Sequence, residues 1–375
     1  MSRIWTFLTK NLLRGIFMGM LVILLLRIGG TSVLALAQSC GQWSVVSSPN
    51  VGTAANTLYG VTAVSPNDIW AVGSSTNATL TEHWNGTQWS VVSSPSSGTN
   101  SRLTAVTAVS SKNVWAVGFS QSQSNSQTLI EHWNGKKWRI VPSPDNGGVL
   151  LGVTTISKKD IWAVGITATS QTLTEHWNGK SWSVVSNPTL CQGGILYGVT
   201  AIATNDVWAV GVIGCGGTLT EHWDGSQWSI IPSPNPMPDV NYLYAVTAIA
   251  SNDVWTVGEG KDLVPPFVPI TEHWDGTSWT AVPAPAQNHS SGMTGVAAAS
   301  TNNIWAVGYL FIGSKQGTVP QTYHWDGTSW TSIPNPGIGN SVLNAVAVTS
   351  AGDFWAVGEF VPQRQVSQTL TEFYC

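Results

Sequence analysis

The chain has 375 residues and a formal net charge of −4, with 15 Lys and Arg residues against 19 Asp and Glu. Only 9% of the residues are charged, and no basic stripe is present, which argues against nucleic acid as a partner. The length is too great for one ordinary hydrophobic core, yet no linker-like stretch divides the chain. These properties favour a fold assembled from repeated units that bury their faces against one another.

Residues 1–37 have the pattern of a targeting segment. A basic start is followed by the apolar run Ile16 to Leu26, and Ala35-Leu36-Ala37 supplies small residues for cleavage. We expect a signal peptide over 1–37 and a secreted or extracytoplasmic protein. The alternative is an uncleaved membrane anchor at the cell surface, but this run is short for a bilayer, which needs about 20 apolar residues.

A repeated phrase dominates residues 38–375. Trp-Ala-Val-Gly, once with Thr in place of Ala, occurs seven times at nearly constant spacing, beginning at Trp70, Trp115, Trp162, Trp208, Trp255, Trp305 and Trp355. A fixed period of about 40–50 residues built from short strands is typical of a β-propeller. The seven copies predict seven blades.

Each copy contains the signals of four strands. In the first copy the Asn85-Gly86 pair marks a tight hairpin turn, and the four alternating β-rich runs are Leu58–Val64, Ile69–Gly73, Thr79–Trp84 and Trp89–Val92. We therefore predict an all-β fold of seven four-stranded antiparallel blades over residues 38–375. Alternation within the second strand places Trp70 on one face and Ala71 on the other, where a neighbouring blade's large side chain can pack.

The chain ends complement each other. The last copy stops at Cys375 without its outer strand, whereas Gln42–Pro49 matches Gln88–Pro95, an outer strand, in all eight places. We predict that the N-terminal strand completes the seventh blade and so removes an exposed sheet edge. This alignment also brings Cys40 and Cys375 to neighbouring positions in one turn.

The four cysteines predict two disulfide bonds. Cys40 and Cys375 should pair where the ends meet, because export to an oxidising space permits it. Cys191 precedes the inner strand of the fourth blade and Cys215 follows its second strand, so both lie at one end of that blade and predict a second disulfide. No Cys-x-x-Cys spacing exists, and we expect no metal site and no cofactor.

The order of inner strand, glycine-ended second strand, third strand, turn and Trp-started outer strand resembles kelch repeats. It is also similar to the central propeller of galactose-oxidase-type proteins, and the resemblance spans residues 42–375. It implies a β-propeller. The chain departs from the kelch pattern at Gly73 and Gly118, where a single Gly replaces the Gly-Gly pair.

Most residues that could carry chemistry recur once per repeat. Six histidines share one position, five of them after a Glu, and they are His83, His132, His176, His222, His273 and His324. This repetition predicts that the Glu residues, such as Glu82, accept hydrogen bonds between blades. The Asp or Asn before each second strand, such as Asp68, is also repeated, and we expect it to bond its own backbone and stabilise a turn.

The segment between the second and third strands breaks the repeat. It varies from 8 to 14 residues and is longest in the last three copies, whereas the third-to-outer turn has constant length. We therefore expect a ligand surface on one face of the disc, at loops of blades five to seven. The candidate ligand-binding residues are Glu259, Lys261, Asp262, Tyr309, Phe311, Glu359 and Arg364, with Phe267, Lys315 and Phe360 nearby.

Three functions remain open. The first is a secreted or cell-surface binding module for a glycan or protein, without catalysis and expected to be monomeric. The second is an enzyme, either a glycosidase that uses two of Glu259, Asp262 and Glu359, or a copper oxidase with His289 as a ligand. The third is a structural envelope or scaffold protein. The sequence offers no aperiodic catalytic set, and this favours the first.

Overall fold

The computed structural model describes residues 40–96, 100–122, 125–144, 147–190, 192–262, 266–285, 287–313, 317–363 and 365–375. The predicted signal peptide over 1–37, together with Cys191, Lys315 and Arg364, lies outside the described residues. In the described part of the chain, no helix has the length and apolarity that a membrane span requires.

The described residues form 28 strands in seven antiparallel sheets of four, so the predicted all-β propeller is confirmed. Each sheet is one blade, numbered here from the first inner strand. The inner strands, which lie around the central channel, are Asn56–Ser65, Asn100–Ser110, Val149–Ser157, Gly194–Ala203, Val240–Ala250, Ser291–Ser300 and Ser341–Val348. The second strands are Asp68–Ser75, Asn113–Ser122, Asp160–Ile166, Asp206–Ile213, Asp253–Lys261, Asn303–Phe311 and Phe354–Phe360.

The third and outer strands complete each blade. The third strands are Ala78–Trp84, Asn125–Trp133, Thr172–Trp177, Thr218–Trp223, Val268–Trp274, Thr318–Trp325 and Gln368–Tyr374. The outer strands of blades 1 to 6 are Trp89–Val91, Trp138–Ile140, Trp182–Val184, Trp228–Ile230, Trp279–Val282 and Trp330–Ile333. Each inner strand contacts those of the two adjacent blades, and blade 7 contacts blade 1, so the ring is closed.

The N-terminal strand Ser44–Val46 is the outer strand of blade 7, as predicted. It pairs antiparallel with Gln368–Tyr374, with Val45 opposite Glu372. A disulfide joins Cys40 to Cys375, whose Cα atoms are 4.8 Å apart. Cys215 is exposed and has no disulfide partner within the described residues, so the pairing of Cys191 with Cys215 stays a prediction.

Side chains of the repeated Trp-Ala-Val-Gly phrase build the interfaces between blades. Trp70 of blade 1 packs on Trp133 and Trp138 of blade 2, with ring centroids 4.9 and 5.3 Å apart. On its other face, Ala71 joins the core cluster that contains Trp355 of blade 7. The predicted arrangement, in which a large residue of one blade covers small residues of the next, is therefore confirmed.

All seven inner strands have a bulge at the same position of the repeat. Pairing with the second strand shifts register at this residue, which is left without a partner. The bulged residues form a ring around the central channel and are Tyr59, Thr104, Leu151, Tyr197, Tyr244, Thr294 and Asn344. The next residue is always Gly or Ala, and adjacent blades approach closely here, since a Cβ at Gly60 would lie 2.9 Å from the Cα atom of Ala105 in blade 2.

The repeated acidic residues are structural, but not all as expected. Ser143 of blade 2 donates to Glu175 of blade 3, and Asn187 of blade 3 donates to Glu221 of blade 4, so some Glu residues accept hydrogen bonds between blades. The prediction that the repeated Asp residues bond their own backbone was wrong about the hydrogen-bond partner. Asp160 Oδ1 accepts from His176 Nε2 at 2.8 Å and Trp162 Nε1 at 3.1 Å, because His176 lies on the adjacent third strand and Trp162 lies two residues along the same strand.

Candidate functional site

The long segments of blades 5 to 7 are not loops over most of the predicted site. Glu259 lies opposite Pro269, Tyr309 opposite Pro320 and Glu359 opposite Thr369, all within paired strands. The prediction of loop residues was wrong at these three positions because the pairing of the second and third strands continues past the Gly, as it also does at Ser74 of blade 1. This pairing holds the side chains on rigid elements.

Glu259, Tyr309 and Glu359 share one strand position. Each directly follows the Gly of the repeated phrase, in blades 5, 6 and 7 respectively. The corresponding residues of blades 1 to 4 are Ser74, Phe119, Ile166 and Val212. The site residues are therefore in register with the repeat, and what distinguishes them is the side chain that each blade carries there.

Glu259 is at the centre of the most developed polar group on this face. Its side chain is buried, with the residue 8% exposed, and both carboxylate oxygens accept hydrogen bonds from tyrosines. Tyr244 of its own blade donates to Oε1 at 3.0 Å, and Tyr309 of blade 6 donates to Oε2 at 2.6 Å. A Cβ at Gly292 would collide with the Glu259 carboxylate, so Gly292 leaves the space that the carboxylate fills.

Two further tyrosines pack beside this carboxylate. Tyr197 meets Tyr244 edge to face with ring centroids 5.2 Å apart, and Tyr242 stacks parallel to Tyr244 at 5.8 Å. Such contacts stabilise aromatic groups and fix their orientation. We call Tyr197, Tyr242, Tyr244 and Tyr309, which surround Glu259, the tyrosine wall.

The environment changes the acidity of these groups. Burial raises the pKa of Glu259 above its ordinary value, whereas the hydroxyls of Tyr309 and Tyr244 counter this rise. Burial and the nearby Glu259 carboxylate raise the pKa of Tyr244 and Tyr309, so both phenols stay protonated at neutral pH. Tyr244 and Tyr309 are therefore both hydrogen-bond donors to Glu259.

Three tyrosines of the wall, Tyr197, Tyr242 and Tyr244, line two cavities. One is the end of the central channel, about 180 Å³, which Tyr197 and Tyr244 help to line. The other, here called the mouth cleft, is an open depression of about 550 Å³ between blades 3, 4 and 5. Tyr197 lines both. The remaining walls of the mouth cleft include the aliphatic side chains Ile166, Ile195, Val212 and Ile213, together with Cys215, Asp239 and Tyr242.

The other predicted site residues are not gathered around Glu259. Lys261 Nζ lies 3.5 Å from Asp239 Oδ2 and 5.4 Å from the Phe267 ring centroid. Asp262 is exposed, and Phe311 is 42% exposed. Glu359 accepts a hydrogen bond of 2.6 Å from Thr57 of blade 1, at the interface of blades 7 and 1. The structure thus joins Glu259 with Tyr309 and gives Glu359 a separate partner.

The blade 1 side of the channel mouth carries a different group. The Arg102 guanidinium lies 4.5 Å from the ring centroid of Tyr59 and 5.7 Å from that of Phe119. Tyr59 is the bulged residue of blade 1, at the same position as Tyr197 and Tyr244 in blades 4 and 5. The chain itself therefore places a cation on one tyrosine of this ring.

A glycosidase requires two suitably placed carboxylates. Among the described contacts of Glu259, the partners are tyrosine hydroxyls. No group of three or more His, Cys, Asp or Glu side chains that could hold a metal ion occurs among the residues described. His289, the histidine outside the repeat, is exposed.

Sequence reasoning missed Tyr197, Tyr242 and Tyr244 because they belong to inner strands that read as ordinary alternating β sequence. A signal was present in the repeat itself. The bulged position varies in chemistry among the seven copies, as Tyr, Thr, Leu, Tyr, Tyr, Thr and Asn, whereas the Leu or Met before it hardly varies. Such variation is expected where a side chain faces a channel and core packing does not restrict it.

Solved structures share this fold. YCF48 from Cyanidioschyzon merolae matches with a TM-score of 0.58 at 15% identity, covering 89% of this chain and 99% of that chain. YCF48 bound to a D1 peptide matches at 0.59 and 16% identity, covering 91% and 97%. An ulvan lyase of polysaccharide lyase family 25, bound to a sugar, matches at 0.57 and 9% identity, covering 86% and 95%.

These similarities show the propeller fold alone, because the identities are low. No protein-family model matches the sequence, and no curated protein matches it. The three structures above are not kelch or galactose-oxidase proteins, so the comparisons support the β-propeller part of that resemblance.

Proposed function

We propose that this protein is a secreted or cell-surface binding propeller that holds a glycan or protein ligand at the tyrosine wall. The observation that carries the proposal is Tyr197, which lines both the channel end and the mouth cleft and packs on Tyr244, a donor to the buried Glu259. A concave site with aromatic walls and a few oriented polar groups is the usual form of a ligand site.

The solved relatives support this proposal in general terms. One YCF48 structure holds a peptide and the ulvan lyase holds a sugar, so propellers of this shape accept both ligand classes. Membership of a kelch-like family stays part of the proposal and is supported by the strand order within each blade. Secretion is supported by the pattern of residues 1–37 and by the Cys40–Cys375 disulfide.

Two matched variants on glycan and peptide arrays test the site. We expect Tyr197→Leu to weaken binding of any array ligand about tenfold or more, because the residue lines both cavities. Tyr59→Leu changes the same bulge position in blade 1, and we expect it to change binding by less than about threefold.

Three results would oppose the proposal in different ways. Equal binding by the wild type and Tyr197→Leu would place the ligand elsewhere. Equal loss in both variants would point to damage of the channel rather than to a site on blades 4 to 6. Cleavage of a bound glycan by the wild type would favour the enzyme alternative.

A further inference from the structure

We propose that the mouth cleft binds the side chain of a Lys or Arg residue carried by a protein partner. This inference rests on the proposed function and names the chemistry of its ligand. Its basis is the cleft lining, in which the Tyr197 and Tyr242 rings and the Asp239 carboxylate lie beside aliphatic side chains, with Glu259 buried behind the tyrosine wall.

The first support is the position of the Glu259 carboxyl group against the tyrosine wall. Its carboxylate is buried behind Tyr244 and Tyr309, and no Lys or Arg among the described residues forms an ion pair with it. A buried charge without a counter-ion is costly, and a cation brought to the wall would lower that cost. The two hydroxyls that face the carboxylate donate to it, so they cannot at the same time donate to a sugar.

The second support is the tyrosine rings themselves. Aromatic faces attract ammonium and guanidinium groups within about 6 Å of the ring centroid. Arg102 makes this contact with Tyr59 from a position two residues before the bulge of the following blade. The corresponding residues beside Tyr197 and Tyr244 are Tyr242 and Gly292, and no described Lys or Arg lies over either tyrosine.

The third support is the lining of the cleft. Ile166, Ile195 and Val212 offer apolar surface to the methylene stem of a long cationic side chain. Asp239 adds a second carboxylate, which is partly balanced by Lys261 at 3.5 Å. The whole chain is also acidic, so long-range attraction favours a basic partner.

Short peptides that differ in charge alone test the inference with the full-length protein. The probes are capped tripeptides Gly-Arg-Gly and Gly-citrulline-Gly, since citrulline is a neutral analogue of Arg, followed by NMR of the peptide during titration. We expect the Arg peptide to bind at least about tenfold more tightly. Its side-chain methylene signals should shift upfield, because ring currents act on protons stacked over tyrosines.

Matched variants assign the effect to this site. Glu259→Gln should weaken binding of the Arg peptide about tenfold and leave the citrulline peptide unchanged. Glu359→Gln removes the same charge at the same strand position in blade 7 and should change neither peptide by more than about twofold. If Glu259→Gln fails to fold, Tyr197→Leu decides, because it should abolish the upfield shift.

Other outcomes overturn the inference without ambiguity. Equal affinity for the Arg and citrulline peptides would refute it, yet the proposed function would stand if Tyr197→Leu still weakened array binding. Preference for a deacetylated chitosan tetramer over both peptides would replace the protein partner with a cationic glycan. Loss of neither peptide nor array binding in Tyr197→Leu would refute both proposals.

Discussion

The glycine that ends each Trp-Ala-Val-Gly phrase is required by close contact between backbones. A Cβ at Gly165 would collide with the carbonyl oxygen of Val149 on the paired inner strand, and the six equivalent glycines face the same collision. The backbone there is extended, with no positive φ at these positions. The close approach of the paired inner strand, rather than a turn, therefore explains why no residue larger than Gly occupies this position.

Substitution of one such glycine should therefore be costly. We expect Gly165→Ala to lower the free energy of unfolding by at least about 1–3 kcal/mol, because neighbouring strands must separate to admit the methyl group. Urea denaturation followed by Trp fluorescence measures it. The control is Gly339→Ala in an exposed segment with nothing within 4 Å, where we expect a change below about 1 kcal/mol. Equal losses in the two variants would contradict the steric explanation.

Strands of adjacent blades meet at buried carboxyl groups on the third strands. Burial raises the pKa of Glu272 from 4.5 to about 8 and that of Glu82 to about 8, and neither carboxylate has a hydrogen-bond partner within the described residues. Glu221 has an Asn187 partner that counters part of the rise, and its pKa is about 7. In blade 6, Tyr323 takes the place of this Glu. The residue of blade 5 that corresponds to Asn187 of blade 3 is Ala284.

These groups make stability depend on pH. The pKa of Glu272 in the folded protein lies above its ordinary value of 4.5. Its contribution to the free energy of unfolding is therefore complete below pH 4.5 and is lost as the pH rises toward 8. The loss by pH 7 is up to about 3 kcal/mol for this residue. We expect Glu272→Gln to raise the free energy of unfolding near pH 7–8 and to leave it unchanged near pH 4.

Urea denaturation at pH 4, 6 and 8 measures this effect. Glu359→Gln is the control, because that half-buried carboxylate accepts a hydrogen bond from Thr57. The free energies of unfolding of Glu272→Gln and the wild type could instead differ by the same amount at all three pH values. That result would show that Glu272 does not titrate as its burial requires.

Closure of the ring is a property of the whole molecule. Strand Ser44–Val46 pairs with the last strand, and the Cys40–Cys375 disulfide spans 335 residues of chain. A crosslink around so long a loop restricts the unfolded chain strongly, which on the chain-entropy model is worth about 5 kcal/mol.

We expect Cys40→Ser, Cys375→Ser and the double variant to lose about the same stability, roughly 5 kcal/mol each. The reason is that either substitution removes the same bond. Thermal and urea unfolding of the three oxidised proteins provides the comparison. A double variant much less stable than both single variants would show that the two side chains act independently of a shared crosslink.

The fold could be predicted from the sequence because the same pattern of strands and turns recurs along the chain. Seven copies of one phrase established seven blades, and the match of Gln42–Pro49 to Gln88–Pro95 established how the ring closes. Local periodicity was sufficient here, since each strand alternates and each turn carries its own residues. The candidate site was only partly predictable: Glu259 and Tyr309 were found, and their partner Tyr244 was not.

What the sequence determined by itself is the part that depends on neighbours along the chain: strands, turns, blade number and the pairing of the ends. What only the tertiary structure decided is which side chains of different blades meet. Tyr309 lies 50 residues from Glu259, and their contact exists because the ring brings two blades together at a distance of one repeat. The bulges that turn Tyr197 and Tyr244 to the channel are likewise created by pairing between strands, which alternation in one strand does not reveal.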